Sequence, residues 1–170
     1  DPISLSQYLE KMPDTQKEIY YISAETSAQA LASPHLEGFK SKNIPVLIMT
    51  DAIDQFWLPM VGSFKEKKFT SITQGKINLD ELDSKNKDKK NKSNNDKDKQ
   101  DKEYVDLIAQ LKVVLGDQVK DIRLSSKLTD SPVCLVADEG GMDIAMEQLM
   151  IQRDSNYKGA PRILEICLLY

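Results

Sequence analysis

Cysteine, histidine and long apolar runs are all scarce in this 170-residue chain, and each scarcity removes a class of function. The two cysteines, Cys134 and Cys167, lie far apart with a single histidine, His35, so neither a structural zinc site nor a disulfide framework has its ligands. That usage fits a reducing compartment. The longest apolar runs, 45–50 and 163–170, fall short of the roughly 18 to 20 residues that a spanning helix needs. No signal peptide is visible at the start, so no membrane partner is expected. Neither G-x-x-x-x-G-K-S/T nor G-x-G-x-x-G occurs, which leaves no cradle for a phosphate and no cofactor to assign to these residues. His35 follows Ser33 and Pro34 at a helix start, where a capping or surface role is expected, and no nucleophile can be paired with it.

The segment 83–103 lacks apolar residues altogether. It cannot bury surface to offset the roughly 1 to 2 kcal/mol per residue that ordering costs, so it reads as a mobile linker or loop. Its eight lysines against six acids give +2, leaving −6 for the rest of a chain whose net charge is −4. Interleaved acids, with no arginine or aromatic in the run, argue against nucleic-acid binding. What remains is ordinary for a globular protein, at 40 % apolar and 29 % charged residues. The first residue is Asp, so the sequence is expected to be a piece of something longer.

The linker divides the chain into 1–82, 83–103 and 104–170. In the first part Ser4 with Gln7 forms a capping box, Thr26 with Gln29 caps a second helix, and Ser33 with Pro34 starts a third. Asp51 is expected to cap a fourth, with Asp54 at N3, that stops at Pro59. Strands are expected at 19–22, 46–49 and 69–72, and strands separated by helices imply parallel pairing in a small three-layer α/β/α unit. The second part is expected to be α+β. Tyr104, Leu107, Ile108, Leu111, Val114 and Leu115 share a helical stripe that Gly116 stops, strands fall at 119–125, 133–136 and 163–166, and a helix covers 142–153.

Three features carry functional readings. Met142, Met146, Leu149 and Met150 recur at i, i+4, i+7 and i+8, opposite Asp143, Glu147 and Gln148. Periodicity alone allows an ordinary core face, whereas flexible, polarizable methionines suit a surface that accepts many sequences. Gly140 and Gly141 precede the stripe as a possible hinge. Phe56 and Trp57 sit on the short helix before Pro59, and neighbours there point about 100° apart, so one covers the sheet and the other is free. Asp51 ends an apolar strand where α/β folds place ligands. That position allows a receiver-like or ligand-binding module as an alternative, although the acidic pair a receiver needs after its first strand is replaced by Ser23 and Ala24.

Three segments resemble the bacterial heat-shock protein 90 chaperone family: M-P-D-T-Q-K-E-I-Y-Y-I-S-A-E at 12–25, S-P-H-L-E at 33–37 and L-G-D-Q-V-K-D-I-R-L-S-S-K-L-T-D-S-P at 115–132. The resemblance runs from about residue 4 to 166. It implies that 1–82 is the second α/β/α subdomain of a middle domain, and that 104–170 is a truncated C-terminal domain. The final residues C-L-L-Y depart from the family's Asn-Pro turn. The nucleotide-binding domain, the catalytic arginine loop and the dimer helices have no counterpart, so catalysis, ATP and magnesium would belong to a parent protein that forms a homodimer. The resemblance further implies unfolded or partly folded client proteins, co-chaperones as further partners, and a bacterial cytoplasm. Phe56, Trp57, Met142, Met146, Leu149 and Met150 would then be the client-contact residues.

Overall fold

A computed structural model describes residues 3–75, 77–79, 94–154 and 156–167, and for 94–103 the backbone alone. Helix α1 (Leu5–Lys11) opens on the expected capping box, in which Ser4 Oγ accepts from the Gln7 N–H and Gln7 Oε1 accepts from the Ser4 N–H. Buried Tyr8 then ties the helix to the sheet. Its hydroxyl donates to the Pro45 carbonyl at 2.7 Å and accepts from Gln16 Nε2 at 2.8 Å and from the Tyr20 N–H at 3.1 Å. The polar turn before the first strand is therefore a buried hydrogen-bond hub.

Strands β1 (Ile19–Ser23), β2 (Leu47–Met49), β3 (Ser63–Phe64) and β4 (Lys67–Ser71) form a sheet of order β2-β1-β4-β3. Both neighbours of β1 run parallel to it, as the alternation of helix and strand predicts. Successive side chains of a strand face opposite ways, so β1 feeds two cores. Tyr20 and Ile22 meet α2 (Ser27–Leu31) and α3 (Glu37–Ser41) through Ala30 and Phe39, whereas Ile19 and Tyr21 meet α1 and α4 (Asp54–Val61) through Tyr8 and Leu58. Helices thus cover both faces of an α/β unit.

Three local expectations are corrected. Helix α4 does not stop at Pro59 but runs through it to Val61, and Gly62 closes it with a φ of +67°. Asp51 does not cap this helix. Ile53 holds the cap position with no side-chain bond, and the Asp54 carboxylate instead accepts from the Asp51 N–H at 3.2 Å. The hairpin of β3 and β4 was not expected at all, because its two-residue turn is made by Lys65 and Glu66 at φ of +46° and +63°, where a glycine or asparagine is the usual signal.

Helix α5 (Asn94–Leu115) begins inside the charged segment read as a linker, so 94–103 is helical and 83–93 lies outside the described residues. Its stripe is narrower than expected: Tyr104, Ile108, Leu111 and Leu115 are half-buried, while Leu107 and Val114 are exposed. Gly116, at a φ of +50°, ends it. Strands β5 (Val119–Leu124), β6 (Val133–Val136) and β7 (Arg162–Ile166) form a second sheet of order β5-β7-β6, parallel on one side of β7 and antiparallel on the other. This mixed pairing fits the α+β expectation. The expected departure from the family at the last residues falls on 168–170, outside the described residues, apart from Cys167.

The two sheets meet along a polar seam. Thr73 O accepts from the Ala137 N–H and Ala137 O from the Gly75 N–H, both at 2.9 Å. Lys127, 1 % exposed, sends Nζ to the carbonyls of Ile72 and Gln74 at 3.4 and 3.3 Å and lies 3.6 Å from the Glu165 carboxylate. Glu165 also accepts from Arg123 and Ser125. Across the seam the Glu37 carboxylate accepts from the N–H groups of Thr129, Asp130 and Ser131 and from the Ser131 hydroxyl.

Candidate functional site

Helix α6 (Ile144–Arg153) lies against the edge of the first sheet where β1 and β4 end. Asp143 places it there. One carboxylate oxygen caps the helix by accepting from the Ala145 N–H at 2.8 Å, and the other accepts from Ser71 Oγ and from Thr73 Oγ1, the latter at 2.8 Å. One turn on, buried Glu147 accepts from the Ala160 N–H at 2.7 Å and from the Arg162 guanidinium at 2.9 Å. Two of the three residues assigned to a solvent face are therefore anchors, and only Gln148 is exposed. The helix also starts two residues later than expected, so Met142 precedes its cap and is not on its stripe.

Cavities open on both sides of α6. One, of about 530 Å³, is lined by Tyr21, Leu58, Pro59, Phe69, Met142 and Met146, with Gly140 and Gly141 at its margin. The other, of about 470 Å³, is lined by the carboxyl ends of β1 and β2, by His35 and Asp51, and by Leu149 of the helix. The proposed stripe is thus divided: Met142 and Met146 share a cavity, Leu149 faces its neighbour, and Met150 is half-buried outside both linings. Met142 is 40 % exposed.

Trp57 covers the sheet. It packs in the Tyr8 and Leu58 core, stands edge-on to Phe69 at 5.7 Å, and donates its indole N–H to Asp54 at 2.7 Å. Phe56 is half-buried and lies under the Arg153 guanidinium at 5.9 Å, which joins α4 to α6. Of the two glycines expected to form a hinge, Gly140 faces open space. Gly141 donates to Asp138 O at 3.0 Å and accepts from Gln74 Nε2 at 3.1 Å. Sequence reasoning missed two exposed apolar residues of α4 and its cap, Met60 at 85 % and Ile53 at 65 %. A helix thought to end at Pro59 gave no reason to consider Met60.

His35 is buried and not a surface residue, and burial, with a further push from the Lys127 charge, lowers its pKa to about 4. Cys134 and Cys167 are free thiols, and burial raises Cys134 to about 12, which makes it inert. No lysine or arginine lines either cavity. Among the described residues, no cluster could hold a metal ion and no helix is long and apolar enough to cross a membrane.

The sequence that builds the parallel sheet, the mixed second sheet and the seam between them matches a known family of chaperones. Residues 1–167 match the Hsp90 protein family, and the chain belongs to it. Among its relatives is the chaperone protein HtpG of Roseobacter denitrificans, 40 % identical over 98 % of this chain and 26 % of that protein. Those of Mycolicibacterium vanbaalenii and Mycobacterium tuberculosis are 39 % and 37 % identical over the same share of this chain and 25 % of theirs. The chain therefore spans about a quarter of the length of these chaperones.

Proposed function

We propose that this segment provides part of the surface by which an Hsp90-family chaperone holds partly folded proteins. The observation that carries the reading is the cavity between α4 and α6. Tyr21, Leu58, Pro59, Phe69, Met142 and Met146 line it together with the polar Ser23, Gln55, Gln74 and Asp143, Met142 is 40 % exposed, and α4, which supplies Leu58 and Pro59, also carries the exposed Met60 and Val61. Isolated apolar residues are common on protein surfaces, but aromatic and aliphatic groups that share one cleft match what an unfolded segment offers. Methionines adapt to varied side chains at low cost. ATP turnover elsewhere in a longer, dimeric parent would set the spacing of two such surfaces, in a bacterial cytoplasm and with any co-chaperones.

The receiver-like alternative finds no support. The sheet has three parallel strands and an antiparallel hairpin, and no lysine lines the cavity beside Asp51. The test replaces Met142, Met146 and Met60 with serine and measures suppression of aggregation of a chemically unfolded reporter protein. Suppression should fall several-fold while the melting midpoint of the Met60 and Met142 changes stays within about 2 °C. Unaltered suppression would remove the proposal.

A further inference from the structure

The corner where α4 passes into the hairpin of β3 and β4 joins two kinds of exposed group. Gly62 turns the chain there, its carbonyl accepting from the Phe69 N–H at 3.0 Å. On the helix side Met60, at 85 % exposure, is the most exposed large apolar residue among those described, and Val61 follows it. On the hairpin side Phe64 pairs with Lys67, and Ser63 with Lys68. Directly opposed residues share a face of the sheet. Phe64 packs with the Tyr8 and Leu58 core on the α4 face, so Lys67 lies on that face and Lys68 on the other. Lys65 joins the first group, its ammonium 5.5 Å from the centre of the Phe64 ring.

The charge of this corner is opposite to that of the chain. Segment 59–69 carries three lysines and one acid, a net of +2, which leaves −6 for the rest of a chain whose net charge is −4. Neither Lys65 nor Lys67 forms an ion pair among the described residues, and Glu66 forms none either. The turn also holds Lys65 and Glu66 at φ of +46° and +63°, where glycine or asparagine is the relaxed choice. Side chains kept in that region against the backbone's preference gather at binding sites and switches.

We propose that this corner selects, among the unfolded segments the chaperone surface holds, those in which an aliphatic or aromatic residue is flanked by carboxylates. The apolar side chain packs on Met60 and Val61, the methionine adapting to its shape. The flanking carboxylates accept from the ammonium groups of Lys65 and Lys67. This preference rests on the reading that α4 takes part in holding partly folded proteins, and it adds which of them are held best. An anionic lipid surface is a poorer match. It takes a cluster of roughly four to eight basic residues, and it repels a chain of net charge −4.

The experiment measures, by fluorescence anisotropy, the binding to this chain of a labelled unstructured peptide with leucines flanked by glutamates, and of the same peptide with glutamine or lysine at every glutamate. The glutamate peptide should bind tightest and the lysine peptide weakest, with the difference shrinking as salt is raised. Lys65→Gln with Lys67→Gln should weaken the glutamate peptide by about two- to thirtyfold, as for two exposed ion pairs, and leave the glutamine peptide unaltered. Lys68→Gln, on the other face, should leave both unaltered. Lys65→Asn suits the turn better, so it should weaken the glutamate peptide while raising the urea midpoint, which separates lost binding from lost folding. Equal binding of the glutamate and glutamine peptides, an equal loss in Lys68→Gln, or tighter binding to phosphatidylglycerol vesicles than to the glutamate peptide would each overturn the preference and leave the client surface standing. Failure of all the peptides to bind would overturn both.

Discussion

Replacing Gly38 with alanine sets two calculable effects against each other. Gly38 lies in α3, where alanine is favoured over glycine by about 1 kcal/mol. A Cβ at that position, however, would lie 2.5 Å from the Lys127 carbonyl oxygen, 2.9 Å from Lys127 Cα and 2.7 Å from Leu79 Cδ1. The leucine methyl can turn away. The Lys127 backbone cannot, because its N–H donates to Ser125 Oγ at 3.1 Å and its ammonium is bound to the Ile72 and Gln74 carbonyls. Overpacking costs about 1 to 3 kcal/mol, and contact with two fixed backbone atoms belongs at the upper end. The net loss should be about 1 to 2 kcal/mol, a fall of roughly 2 to 8 °C in melting midpoint for a chain of this length. Urea unfolding measures the loss, and hydrogen exchange at Ser126 to Leu128 should rise first, since the strain sits at the seam. Gly140→Ala, which enters open space, should shift stability by less than about 0.5 kcal/mol. A Gly38→Ala chain that gained stability would refute the reasoning and show that the seam yields.

The seam also sets the remaining predictions. Lys127→Met should cost about 3 to 5 kcal/mol in urea unfolding, because it leaves two buried carbonyls without a donor and Glu165 without one of its cations, and pairing it with Glu165→Gln should recover part of the loss. Acid should weaken the protein in two steps. His35, lowered from 6.5 to about 4, must gain its proton on unfolding, so its contribution is complete above pH 6.5 and is lost toward pH 4. The Glu37 carboxyl, raised by burial but lowered overall to about 2 by its bonds from Ser131, Asp130 and Thr129, contributes fully above pH 4.5 and loses that contribution as pH falls through 2. Glu37→Gln should abolish only the lower step in a series of urea titrations. Lys65→Asn with Glu66→Gly should stabilise the hairpin by about 1 kcal/mol or more, read as a higher urea midpoint, since both positions hold φ above zero.

The parallel strands and most caps were legible because each is written locally. Ser4, Thr26 and Ser33 carry their capping partners within three residues, and β6 is bounded as its apolar run reads. The hairpin was illegible because Lys65 and Glu66 are not the residues its turn favours. Pro59 misled because a proline in a helix of eight residues removes only one hydrogen bond, and packing of Leu58 and Trp57 on the sheet outweighs that loss. The seam was beyond reach. Asp143, Glu147, Lys127 and Glu165 look like solvated charges until residues more than ten positions away complete their hydrogen bonds. The client-contact residues named from resemblance were brought near one another, but divided by the helix that carries three of them.

That division bears on the hinge expected at Gly140 and Gly141. A swing of α6 away from the sheet would break the bonds from Ser71 and Thr73 to Asp143 and the bond from Gln74 to Gly141. Bonds to a charged acceptor are worth about 1.5 to 3 kcal/mol each and a neutral one about 1. The swing therefore costs at least about 4 kcal/mol, and the open helix is populated below roughly 0.1 %. A glycine pair frees the backbone to turn, but the rate and extent of turning are governed by Asp143. Asp143→Asn keeps a hydrogen-bonding cap and surrenders the charge, so it should raise the open population and speed exchange across 144–150 with little loss of helix. If exchange there is unaltered in Asp143→Asn yet slowed by Gly140→Ala, the backbone and not the carboxylate holds α6, and the hinge assignment gains what the anchor loses.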